Sequence, residues 1–322
     1  MKKWSAGYHY DTRKQLEISN LAGILEELFD HAGIPAKSIC HDVVEKMKNS
    51  IHNSLRNSMQ LSKSQKSCEI KVSDFMSEQT FEILRDVPST LLEFLAFYPK
   101  IKGAIPVIDK VCQKRYEIEQ VFRLALDVGA VIKTKEDLVG ILNSIDELLQ
   151  KIIQLIESST FDVLGWYYYE PERRVEICWI TNYLLSLSMN LPYERLIYKV
   201  LTHELAHYYS HCGLDADDKD WDTENFGLAD TYVKEGIAQY FTYEICKKEN
   251  SKFGIFSRYT NRKVFEKLLE RQSQPYRCFL DWVPNHGRRT EVVRSAMLKI
   301  REVDGSYQNF LNFLTEMARS YT

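Results

Sequence analysis

Between Pro192 and Gly213 the chain has neither glycine nor proline, and two histidines four residues apart, His203 and His207, lie on the stripe begun by Leu196 and Val200. That stretch constrains the fold more than any other. Pro near the first turn, Glu194 close behind it and Gly213 at the end as the expected C′ residue mark one continuous helix. Residues four apart share a helix face and stand about 6 Å apart along the axis. The two imidazoles therefore continue the face that Leu196 and Val200 turn to the core. Three of the eight histidines of the chain fall within nine residues here, the third being His211.

The run His203-Glu204-Leu205-Ala206-His207 reads H-E-x-x-H. Two imidazoles on one face can share one metal ion. Zinc suits them, because it takes nitrogen ligands in tetrahedral geometry and leaves a position for water. Glu204 stands beside that position, where a carboxylate can act on the water. His211 lies eight residues from His203, about 12 Å along the helix. It is too far to close on the same ion and reads as a supporting or surface residue. The spacing H-E-x-x-H-x-x-G-x-x-H is absent: Ser210 stands where its glycine belongs and Gly213 where its last histidine belongs.

On the next expected helix, about Ala229 to Lys248, the chain reads Glu235-Gly236-Ile237-Ala238-Gln239-Tyr240. Here, over about residues 160–250, it resembles the gluzincin zinc metallopeptidases, which carry H-E-x-x-H on one helix and a glutamate ligand on the next, in some branches within E-G-x-A-x-Y. The resemblance implies a zincin-like catalytic domain that holds Zn2+ through His203, His207 and Glu235, with Glu204 as general base and a peptide or protein as substrate. It also implies an oxyanion donor well downstream of Glu235. Tyr276 and His286 are the residues chosen for it, from a set that includes Tyr259 and Tyr307. Read from the residues alone, Asp222, Glu224 and Asp230 remain alternatives to Glu235. The position four residues after the glutamate, Asp in thermolysin-like members, is Gln239 here, so Asp230 is the candidate to orient a ligand histidine. Gly236 gives up about 1 kcal/mol of helix propensity, which points to close packing beside the ligand. The acidic loop Asp215–Glu224 reads as a solvated charged segment.

The remainder places this site in a mainly α chain with a small β-sheet, an α+β architecture. Only 13 Gly and 8 Pro occur in 322 residues, too few for a turn-rich all-β fold. Helical periodicity runs from about residue 17 to 158, interrupted near Gly33-Ile34-Pro35 and by the polar stretch 62–67, after which Glu69–Val72 reads as a short strand. Ser158-Ser159-Thr160 is the expected boundary between a helical domain, 1–158, and the catalytic domain, 159–322. Residues 163–169 and 175–180 are aromatic and β-branched around Glu170-Pro171-Glu172-Arg173, and read as a hairpin. Val175–Ile180 is its candidate edge strand for pairing an extended substrate. Helices are expected at about 256–274, 288–303 and 306–320.

The net charge of −3 gives no basic surface for nucleic acid. No apolar run reaches the roughly 18 residues of a membrane span. The N-terminus lacks the apolar core of a secretory signal, and the seven cysteines are odd in number and unpaired in spacing, so a reduced, cytoplasmic chain is expected. The sequence thus reads as a zinc-dependent peptidase whose helical half is a candidate platform for a protein partner. The competing readings are a non-catalytic binding module on the same scaffold, against which the intact Glu204 argues, and a hydrolase of a non-peptide amide.

Overall fold

A computed structural model describes residues 12–62, 67–111, 135–159, 163–248, 260–282 and 289–321. The chain opens with helices α1 (Thr12–His31) and α2 (Ala36–Met59), followed by strand β1 (Glu69–Ser73), α3 (Glu78–Arg85), α4 (Ser89–Val111) and α5 (Lys135–Ser158). Strands β2 (Gly165–Tyr168) and β3 (Arg174–Cys178) precede α6 (Trp179–Met189), α7 (Tyr193–Cys212), α8 (Thr223–Leu228) and α9 (Thr231–Lys248). The chain ends with α10 (Asn261–Leu269), α11 (Gln274–Arg277), α12 (Arg289–Ile300) and α13 (Tyr307–Ser320). It is mainly helical with one small mixed sheet. Among the described residues no helix is long and apolar enough to cross a membrane.

The helix breaks follow local chemistry. Gly33 turns the chain after α1 at φ +71, a conformation glycine adopts without cost. Ser77, Thr260 and Ser306 cap α3, α10 and α13 by accepting backbone N–H bonds three residues on. Asn190, at φ 49, ends α6. The expected strand 175–180 stops at Cys178, and Trp179 begins α6 instead. That helix is buried on nearly all sides, so its run of apolar residues carries neither a period of 2 nor one of 3.6 to announce it. The expected helix 256–274 is described from Asn261 to Leu269, and a separate short helix, α11, follows at Gln274.

β2 and β3 form the expected hairpin, and strand order corrects only the edge position given to its second strand. β3 is the central strand, paired antiparallel with β2 (Gly165 opposite Ile177) and parallel with β1 (Glu69 opposite Arg174). Val175–Ile177 therefore has no free edge. The edges of the sheet are β1 and β2.

The same pairing bears on the expected boundary at 158/159. α5 does end at Ser158, but β1, from the first half, completes the sheet of the second. α2 packs lengthwise on α7, His52 Nδ1 lies 3.0 Å from the Tyr209 hydroxyl, and Ser62 N donates to Leu214 O at 2.8 Å. One continuous apolar core runs from Ile18 to Leu314. Packing crosses residue 158 without a break.

α7 is the axis of this core. Every residue from Arg195 to Cys212 is buried, between α2, α9, α10 and the β2–β3 sheet. Its C-terminal carbonyls are closed by Arg301, whose guanidinium donates to the carbonyls of Tyr209, Ser210 and Gly213 at 2.7 to 3.1 Å. Burial pushes the Arg301 pKa down to about 10. A cation at that end also complements the helix dipole. Gly213 has φ −66, not the left-handed value expected of a C′ glycine. Its requirement is space: a Cβ there would stand 2.7 Å from Tyr209 O and 2.8 Å from Leu61 Cδ1.

Candidate metal centre

α7 and α9 pack side by side and bring three ligand atoms together. Glu235 Oε2 lies 3.1 Å from His203 Nε2 and 3.2 Å from His207 Nε2, and the two imidazole nitrogens lie 3.1 Å apart. The three side chains are the one group of metal-ligating residues that closes to a common centre among those described. Four ligands at about 2.0–2.1 Å around a tetrahedral ion stand about 3.3 Å from one another. The observed triangle fits such an ion to within a few tenths of an ångström.

The protonation states fit as well. Burial pushes His203 down to about 3, against the bond from Glu235 that would raise it, and the charges of His207 and Lys199 add to the lowering. Burial would raise the Glu235 carboxyl, but His207 and His203 outweigh it and hold the group well below the usual carboxylate range. A neutral imidazole and an ionised carboxylate are the forms that bind metal.

Local sequence places Glu235. Asp230 caps α9, its side chain accepting from Tyr232 N at 2.9 Å and its carbonyl from Val233 N. Lys247 and Lys248 occupy the last turn, where cations suit the dipole. Gly236, next to the candidate ligand, sits where a Cβ would meet the Trp282 ring at 2.5 Å and Cys278 Sγ at 2.7 Å. The close packing expected there is present, and its partner is the indole of Trp282.

Glu204 and Tyr276 line one cleft with His203. Tyr276 is buried on α11, its ring centroid 6.0 Å from that of His203. The cleft wall opposite α11 comprises Val163 and Leu164, just ahead of β2. At Gly165 an added Cβ would stand 3.1 Å from Glu204 Cγ and 3.0 Å from Val200 Cγ1. A glycine is thus what lets the β2 edge pass against the Glu204 turn of α7. The free space in the cleft is about 20 Å³, room for roughly one water, within a solvent-open hollow of about 360 Å³.

Other expected residues lie elsewhere. His211 is fully buried, not at the surface. Its Nδ1 meets the Tyr167 hydroxyl at 2.9 Å, its Nε2 meets Thr223 Oγ1 at 3.2 Å, and its ring stacks on Phe226. Asp230 caps a helix, so its carboxylate is not the expected orienter of a ligand histidine. Asp222 likewise caps α8, accepting from Asn225 N. Gln239 donates to Gln272 Oε1 at 2.9 Å, and Gln272 lines the cleft. In the acidic loop Asp215 accepts from the backbone of Asp217 and Lys219, an internal turn. Tyr307 takes a hydrogen bond from Trp282 Nε1. His286 and Tyr259 lie outside the described residues.

Four residues that matter here were not singled out by sequence: Lys199, Gln272, Gly165 and Arg301. Lys199 carried a signal, standing four residues before His203 on the same face, and so did Gly165, a glycine inside an aromatic strand. Gln272 and Arg301 reach α7 from distant segments and carried none.

No protein family, curated protein or solved structure matches the chain.

Proposed function

We propose that the chain is a zinc-dependent peptidase of the gluzincin kind, with a zincin-like catalytic centre on α7 and α9. The observation that carries this reading is the triangle of His203, His207 and Glu235, with Glu204 one residue from the first ligand and in the same cleft as Tyr276. Zinc held there supplies Lewis acidity toward a carbonyl and a bound water.

The chain's own groups do the rest. The Glu204 carboxylate accepts a proton from the water as its oxygen attacks the peptide carbonyl carbon, and then delivers that proton to the departing amine nitrogen. The C–N bond breaks and the water oxygen stays on the new carboxylate. The Tyr276 hydroxyl donates to the oxyanion of the tetrahedral intermediate. The buried walls, Val163, Leu164, Val200 and Ile156, exclude bulk water and so strengthen both interactions. β2, the sheet edge beside Glu204, takes the place first given to β3 as the strand for an extended substrate: its outer side is unpaired among the described residues.

The test is Glu204→Gln. It keeps shape and removes the base, so peptide hydrolysis should fall by about 10³-fold or more while elemental analysis still finds one zinc per chain. Equal cleavage by parent and variant overturns the mechanism. Turnover of amides other than peptides, lost in the same variant, would move the substrate class and keep the chemistry.

A further inference from the structure

The cleft that holds Glu204 and Tyr276 is narrower than the chemistry proposed for it. Its free space of about 20 Å³ takes roughly one water. A peptide unit is a rigid plane that brings several heavy atoms to the same place. The two walls of the cleft are also fastened to each other. On one side stand Ile156 and Ser159 at the end of α5, with Val163 and Leu164 beyond them, and on the other stand Gln272 and Tyr276. Arg271 Nη1 lies 2.6 Å from Glu157 Oε1, and the Ser273 hydroxyl donates to the Ser159 carbonyl at 2.7 Å. Each bond joins a lining residue, or its immediate neighbour, on one wall to its counterpart on the other, across 114 positions of sequence.

The turn between α10 and α11 is held on two sides, and the two holds differ in kind. Gln272 accepts from Gln239, a fully buried residue of α9, which ties the turn to the helix that carries Glu235. Toward α5 it is held by an ion pair whose side chains are 51% and 40% exposed, and by one hydroxyl. An exposed ion pair contributes little and is screened by salt, and a single hydroxyl bond adds a modest net amount. The α5 side is therefore where the walls part at least cost. On the metallopeptidase reading above, we propose that the Arg271–Glu157 and Ser273–Ser159 bonds form a clasp that holds the cleft shut, and that a peptide enters when it opens. The end of α5 is then an autoinhibitory contact on the catalytic centre. The closed cleft admits water, and a substrate binds the open fraction, so apparent affinity scales with that fraction.

The experiment uses the zinc-loaded full chain, quenched-fluorescence peptides of mixed sequence and no net charge, and a charge-swap cycle. Glu157→Arg and Arg271→Glu each set like charges across the clasp, and the double variant restores an opposite pair. Each single variant should raise kcat/KM about 2- to 10-fold, mainly through a lower KM, and the double variant should return to the parent value. Ser273→Ala removes the second bond without changing charge and should act in the same direction. Amide hydrogen exchange over residues 270–276 should quicken in the single variants and revert in the double. A merely structural role would lower the melting temperature of the single variants and leave KM unchanged, which overturns the inference and leaves the hydrolase reading standing. Equal exchange in all four chains overturns it as well. Absence of Glu204-dependent cleavage in every chain overturns the hydrolase reading instead. The clasp is then read in the Glu204→Gln background by fluorescence anisotropy of dye-labelled forms of the same peptides. Tighter binding in the single variants, reversed in the double, upholds the clasp, and equal affinity throughout overturns it.

Discussion

His207 and His211 stand one turn apart on α7, and both are at most 5% exposed, yet their surroundings differ in kind. His207 faces another imidazole and a carboxylate at 3.1–3.2 Å, three potential metal-ligand atoms in one group. His211 faces two hydroxyls, each able to donate or accept, and the flat ring of Phe226. The first arrangement gathers three atoms that can share one cation. The second is complete by itself. Burial and helix position do not make a histidine a metal ligand; the chemistry of the groups across from it does.

The sharpest way to break this contrast is to remove each ring in turn. His207→Ala should lose stoichiometric zinc by elemental analysis and all peptide hydrolysis, with the helical circular-dichroism signal retained. His211→Ala should keep its zinc and lose about 2–3 kcal/mol in urea unfolding, because it strands the Tyr167 hydroxyl and empties the stack on Phe226. Zinc loss in both variants would erase the distinction.

A smaller effect separates ligand from packing on the partner helix. Gly236→Ala should cost about 1–3 kcal/mol, since the added methyl meets the Trp282 ring, and should weaken zinc binding through the neighbouring Glu235. A variant as stable as the parent would mean that Trp282 yields freely. The smallest effect expected is at Asp230. As a helix cap, Asp230→Ala should cost about 1 kcal/mol and leave zinc affinity unchanged. A tenfold or greater loss of affinity would return Asp230 to the role of orienting a ligand.

Much of the fold was readable along the chain. The strand at 69–73 and the helices α1, α2, α5, α7, α9, α12 and α13 follow from apolar periods and breakers within a few residues of each expected bound. α6 was missed because a helix buried on nearly all sides has no polar face to give it a period. α8 and α11 are too short to show one. β3 was misplaced at the edge because strand order depends on β1, which lies about a hundred residues earlier. The site divides in the same way. The H-E-x-x-H spacing is a property of one helix, whereas the place of Tyr276 in one cleft with His203 and Glu204 rests on where α11 packs.

Interactions between neighbours four residues apart are written into any helical sequence, because helix geometry turns that spacing into contact. His203 and His207 on one face, and the lysine one turn before His203, belong to this class. Contacts between α7 and its partners belong to another. Glu235 closing on two imidazoles, Arg301 on the end of α7, Gly165 against Glu204 and the burial of His211 join residues from about a dozen to about 90 positions apart. Such pairings arise from how whole faces fit together, and no short-range spacing carries that information.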